Sequence, residues 1–202
     1  MYKFLTHDAH GSVLRIALNR PEVFNAFHRG MALELQQALA EADRDPEARA
    51  VLLTGEGRAF CSGQDLSEAI DPQGPGLDRI LSEHYNPLVL QMRSLRKPVV
   101  VAVNGVAAGA GANLALAGDV VLAAQSAKFI QAFSKIGLIP DTGGTLTLPR
   151  LAGFAKASAW MMLADSVSAE EAERHGLIYR VVADDALADD AMAVAQKLAA
   201  MP

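Results

Sequence analysis

The sequence predicts an α/β domain, and three observations carry that prediction. Short apolar runs of strand length recur along the chain. Segments of helical period lie between them, and glycine-rich turns join the two kinds of segment. The chain has 202 residues, 51% of them hydrophobic, which suits a single domain spanning 1–202 around one core.

Taken in order, Val13 to Asn19 alternates as a strand and stops at Arg20-Pro21, because Pro has no N–H to give a ladder. His7 and His10 precede it and read as solvated residues of a frayed N-terminus. Residues 29–43 form an amphipathic helix through Met31, Leu35, Leu39 and Ala42, ended by Asp45-Pro46. Ala50 to Thr54 is continuously apolar, as a strand covered on both faces should be. A long loop is expected from Arg58 to about Leu77, with the breaker cluster Asp71 to Gly76 inside it. Helical spacing returns over 77–95 and ends at Lys97-Pro98. Val99 to Val103 is the next buried strand. Gly105 to Gly111 reads as a small-residue turn, Asn113 to Ala117 as the start of a short helix, and Asp119 to Ala123 and Lys128 to Ile130 as strands. Ile139 to Gly144 is a turn feeding a helix. Further helices are expected near 154–164, 168–175 and 184–200, with a strand over Leu177–Val182. No exact internal repeat is visible.

Composition excludes several classes. The charged fraction is 20%, too low against this hydrophobicity for a disordered chain. With 18 basic and 23 acidic residues the net charge is -5, without the basic surplus of a nucleic-acid binder. No apolar run has the length of a membrane span. A single cysteine, Cys61, allows no internal disulfide framework and suits a reducing cytoplasm, the expected location. A small buried filler is its expected role. The first residues show no apolar signal region. His28, His84 and His175 stand alone, so no metal site is expected. Phosphate-loop and nucleophile-elbow motifs are absent, and Gly109-Ala110-Gly111 lacks the third glycine of a dinucleotide fingerprint.

Two glycine-bearing turns follow buried strands, Gly57 to Leu66 and Asn104 to Asn113. Ligands of α/β sheets sit beyond the carboxyl ends of strands, and small residues there let backbone N–H groups approach them. Two such groups aimed at one point make an oxyanion hole. Tight turns and close helix packing explain the same glycines, and spacing alone favours that simpler reading.

These stretches together resemble the enoyl-CoA hydratase/isomerase (crotonase) family. The matching pieces are Asn19-Arg20-Pro21 with Asn25-Ala26-Phe27, Ala59 to Leu66, Lys97 to Asp119, Ala127-Lys128-Phe129, Gly137 to Pro149, Ser168 to Ala172 and Gly176-Leu177-Ile178. The resemblance implies the ClpP/crotonase-like fold, a spiral of ββα units followed by helices, and an acyl-CoA substrate, with no cofactor beyond the coenzyme A that is part of the substrate. It places the first oxyanion N–H on Ser62 and the second on Ala110. It lines the coenzyme A site with Asn25, Ala26, Ser62, Gly63, Gln64 and Asp65, and sets Gly109 beside the hole. The two glutamates of hydratases fall on Asn113 and Phe133, neither of which can transfer a proton. Asp141 falls on an acidic position of the isomerases, although an Asp before a helical run could equally be its cap. Asn113 is kept as a substrate contact or a helix cap.

Tyr85 to Leu88, Phe60 to Leu66 and Phe133 to Asp141 are most similar to the branch that converts the ring epoxide of phenylacetyl-CoA to an oxepin. A Δ3,Δ2-enoyl-CoA isomerase of fatty-acid breakdown is the alternative enzyme, and a non-catalytic CoA-binding or scaffold protein the alternative outside catalysis. Relatives form trimers, often paired into hexamers, and continue past the helix near Ala200. A homotrimer or hexamer is therefore expected, with the family's C-terminal helices missing from this chain.

Overall fold

The computed structural model describes residues 2–202. The chain enters as an antiparallel hairpin of β1 (Leu5–His10) and β2 (Val13–Leu18). The segment expected to fray is thus an edge strand. It escapes sequence reading because Leu5 alone among its residues is buried. The next helix, α1 (Arg29–Arg44), buries Met31, Ala32, Leu35, Ala38, Leu39 and Ala42 along one stripe. His28 caps it, its Nδ1 accepting the Met31 N–H at 3.2 Å.

A strand pair then recurs three times. A long, largely buried strand is followed, after two or three residues, by a three-residue strand. The pairs are β3 (Ala50–Gly55) with β4 (Ala59–Cys61), β5 (Val99–Val103) with β6 (Val106–Ala108), and β7 (Val120–Ala124) with β8 (Lys128–Ile130). Two later strands, β9 (Ser166–Ser168) and β10 (Arg180–Val182), complete two sheets. One sheet runs in the order β1-β2-β3-β5-β7-β10 and the other β4-β6-β8-β9. Pairing is parallel except at β1–β2 and β8–β9. The sequence reading missed β4 and β6, which lie among glycine-bearing turns, and β9, which lies between two helices; β8, of the same length, is legible.

Between β4 and β5 lie α2 (Leu66–Ala69), α3 (Gly76–Arg79), a π-helical turn over Ile80–Tyr85, and α4 (Asn86–Ser94). The expected long loop at Arg58 to Leu77 therefore contains β4 and α2. The helix α5 (Ala110–Leu116) follows β6 directly and is buried throughout. After β8 come α6 (Gly144–Ala152), α7 (Phe154–Leu163), α8 (Ala169–Arg174) and α9 (Leu187–Ala199). The last of these lays Leu187, Ala191, Ala195 and Ala199 on β3 and β5. The outer faces of α6 and α7 leave Leu146, Phe154, Met162 and Leu163 exposed. Among the described residues, no helix is long and apolar enough to cross a membrane.

Candidate active site

The turn after β4 is held by the loop before α1. Ser62 donates its N–H to the Phe24 carbonyl at 3.0 Å. Phe27 then donates to Gly63 O, and Asp65 donates to Phe27 O, both at 2.7 Å. These two bonds form one parallel rung, with Gln64 opposite Phe27. In such a rung the residue straddled by the two bonds turns its own N–H away from the partner segment. The Gln64 N–H accordingly has no acceptor among the described residues. This corrects the expectation at Ser62: its N–H is engaged, and the free donor of this turn belongs to Gln64.

The turn after β6 supplies a second free N–H. Gly109 has φ +52° and ψ −126°, a backbone state open essentially to glycine alone. Its own N–H is taken by Ile130 O at 2.8 Å. Ala110 is the first residue of α5, and a first helical N–H has no partner within its helix. The two turns touch. A Cβ built on Gly63 would lie 2.8 Å from Ala108 O and 3.6 Å from Ala110 N. One built on Gly111 would lie 2.4 Å from Cys61 O. Glycine at both positions brings the turns together over Cys61. That thiol is buried and pushed up to about 12, which fits a filler.

A cavity of about 480 Å³ opens over these turns. Leu66, Leu77, Ile80, Phe133 and Leu138 give it an apolar wall, and Ala26, Ser62, Gly63, Gln64, Gly109 and Ala110 also line it. Two carboxylates border it, Asp65 and Asp141. Burial alone would raise Asp65, but hydrogen bonds from Ser67 and Arg20 outweigh it and hold the carboxyl below its ordinary range. Arg20 Nη1 lies 3.0 Å from Asp65 Oδ2, and Oδ1 caps α2 through the Ser67 N–H at 3.0 Å. Asp65 is therefore committed to structure. Asp141 has no such cation among the described residues. Burial pushes its carboxyl above the ordinary range, against hydrogen bonds from Thr142 Oγ1 at 2.7 Å and from its own backbone. It is not a helix cap, since Gly143 holds that position for α6.

Two expected contacts are placed elsewhere. Asn25 is fully buried and absent from the cavity wall. It adopts φ +55° and joins three backbone groups: Arg20 N at 2.8 Å, Glu56 O at 2.9 Å and Ala59 O at 2.8 Å. Asn113 is also buried and off the wall. It lies within α5 and does not cap it; its Nδ2 donates to Asp141 O and its Oδ1 accepts from Gln131 Nε2, each at 2.9 Å. Gln131 escaped the sequence reading, for it belongs to no motif. Tyr85 drew notice only as a mark of resemblance. It is buried on the cavity wall, and its hydroxyl donates to Gln64 Oε1 at 2.9 Å.

A model of the family described as enoyl-CoA hydratase/isomerase matches residues 8–202. The chain is 50% identical to the 1,2-epoxyphenylacetyl-CoA isomerase of Escherichia coli strain K12, over all of this chain and 78% of that protein. It is 51% identical to a probable enoyl-CoA hydratase of Rhodobacter capsulatus, over 91% of this chain and 70% of that protein. The crystal structure of an enoyl-CoA hydratase/isomerase from Pseudoalteromonas atlantica superposes with a TM-score of 0.90 at 34% identity, covering 99% of this chain and 78% of that one.

Proposed function

The chain belongs to the enoyl-CoA hydratase/isomerase family and has its crotonase fold, and on that premise we propose that it isomerises an acyl-CoA thioester with Asp141 as acid and base. The observation that carries this reading is the contrast between the two carboxylates on the cavity wall. Asp65 is tied down and held low, while Asp141 makes no ion pair among the described residues and is raised. Environments that separate two carboxyl groups in this way mark which one handles protons.

The thioester oxygen takes hydrogen bonds from the N–H groups of Gln64 and Ala110. So polarised, the α-carbon becomes acidic. Asp141 removes its proton, the electron pair enters the enolate, and Asp141 returns the proton to a carbon farther along. The double bond moves, and no atom is gained or lost. Each N–H supplies roughly 10²–10³ in rate. Water addition needs a second proton-transferring group. The two positions where such a group would stand hold Asn113, fully engaged, and Phe133, which is apolar.

The acyl group we assign is the ring epoxide of phenylacetyl-CoA: the bond between its two epoxide carbons opens as the ring double bonds shift, giving the seven-membered oxepin, and Asp141 moves the α-proton to a ring carbon, so that every atom is kept. The support for this assignment is the identity to the Escherichia coli isomerase over the whole chain, together with an apolar wall of Leu77, Ile80, Phe133 and Leu138 suited to a ring. Coenzyme A enters as part of the substrate. Turnover on the epoxide thioester, on a linear 3-enoyl-CoA and on a 2-enoyl-CoA tests the assignment. The first is expected to react fastest and the third to gain no water. Asp141→Asn should lower kcat by about 10²–10⁴ while CoA esters still bind. Faster turnover of the linear ester would move the substrate to fatty-acid breakdown. Water addition to the 2-enoyl-CoA, or full rate in Asp141→Asn, would refute the isomerase reading.

A further inference from the structure

We infer that Asn113 is a positioning residue for Asp141, with Gln131 fixing the orientation of its amide; this rests on the reading of Asp141 as the base. The Asp141 turn is a conformation that needs support. Thr142 has φ +51° and Gly143 φ +77°, two left-handed residues in succession. A β-branched residue rarely takes that state unless its surroundings impose it. The support comes from Asn113. Its Nδ2 donates to Asp141 O, which also accepts the Gly144 N–H at 2.8 Å. A Cβ on Gly144 would stand 2.3 Å from Asn113 Nδ2, so glycine is what lets the turn settle on the amide.

The direction of this short relay is set at its carbonyl end. A backbone carbonyl can only accept, so Asn113 must present its NH₂ to Asp141 and its oxygen to Gln131. Gln131 must then present its NH₂ to Asn113. Its own Oε1 is left buried without a partner among the described residues. Gln131 stands directly after β8, and Asn113 lies three residues beyond Ala110 on α5. The relay therefore ties the base to the same helix that carries one of the two oxyanion donors. Their separation is held by α5 and two amides, both independent of the substrate.

Four variants test this: Asn113→Asp, Asn113→Ala, Gln131→Met and Asp141→Asn, each checked by thermal melting and followed by kcat, KM and the pH profile of kcat. Asn113→Asp keeps the acceptor for Gln131 but sets an oxygen against the Asp141 carbonyl. It should lower kcat by about 10–100-fold and leave KM within about threefold. The acid limb of kcat should move to lower pH, because a loosened turn admits water to a carboxyl that burial had raised. Asn113→Ala should do the same, and Gln131→Met should give both changes at smaller size. Folded Asn113 variants that keep kcat and the acid limb, or that lose only melting temperature, overturn the inference. If neither Asn113 variant folds, Gln131→Met decides on the same two readouts. An active Asp141→Asn refutes the base itself. An inactive one beside unchanged Asn113 and Gln131 variants refutes this inference alone.

Discussion

Asn25 offers a stability test whose size follows from geometry. Its side chain is fully buried and makes three hydrogen bonds to backbone atoms of two segments, the Arg20 turn and the stretch from Glu56 to Ala59. Truncation leaves one N–H and two carbonyls without that partner. At about 1 kcal/mol net for each bond the loss is about 3 kcal/mol. The backbone adds a second effect. At φ +55° an alanine is strained by roughly 1–2 kcal/mol, and a glycine is not. Asn25→Gly should thus cost about 3 kcal/mol and Asn25→Ala about 4–5 kcal/mol. For a domain of this size each kcal/mol moves Tm by roughly 2–4 °C, so the alanine variant should melt about 8–20 °C below the parent. Urea unfolding of the three proteins measures the differences. The reasoning fails if Asn25→Ala lies within about 1 kcal/mol of the parent, or if glycine is the worse substitution.

Three further outcomes are expected. Asp141 has a raised carboxyl, so the native state favours its protonated form, and any stability the group contributes is present at low pH and lost as pH rises through the native value. Asp141→Asn should therefore melt above the parent at neutral pH, with the gap closing below the ordinary carboxylate range; a variant that melts lower at pH 7 would contradict this. Cys61 should resist alkylation by iodoacetamide in the native protein and react once urea unfolds it, and rapid native labelling would show that the thiol is neither buried nor raised. Gly109→Ala, at φ +52° and ψ −126°, should tilt the Ala110 N–H and lower kcat by about 10²–10³; an unchanged kcat would remove that N–H from the hole.

Much of the fold was legible, and the losses have physical reasons. The stripe of α1 is long enough for periodicity to show, and continuous burial makes β3 and β5 plain. β4, β6 and β9 were not: the first two are hidden among glycine-bearing turns and the third between two helices, whereas β8, of equal length, stands clear of both. The threefold strand pair leaves no repeat in the residues because it is a repeat of path, filled by different side chains. The site shows the same division. Its glycines marked both turns. The choice between Ser62 and Gln64 depends on which residue Phe27 pairs with, and that is fixed across the fold. Asn25 and Asn113 look like ligand contacts in sequence. Apart from Arg20, five residues from Asn25, their partners lie 18 to 34 residues away, where no local pattern could reveal them.

The pairing of β4 with β6 has a consequence for how such a site can vary. The two free N–H groups follow neighbouring strands of one parallel ladder, so their separation is referred to an inter-strand spacing of about 4.8 Å. That spacing acts as a ruler made of main chain, indifferent to the side chains along it. The groups that would discriminate between reactions, Phe133 and Asp141, come after the third rung, β8. On the proposed function, activation of the thioester and the fate of its proton fall to separate turns of the chain. A substitution on the third can change the reaction without disturbing the ruler set by the first two.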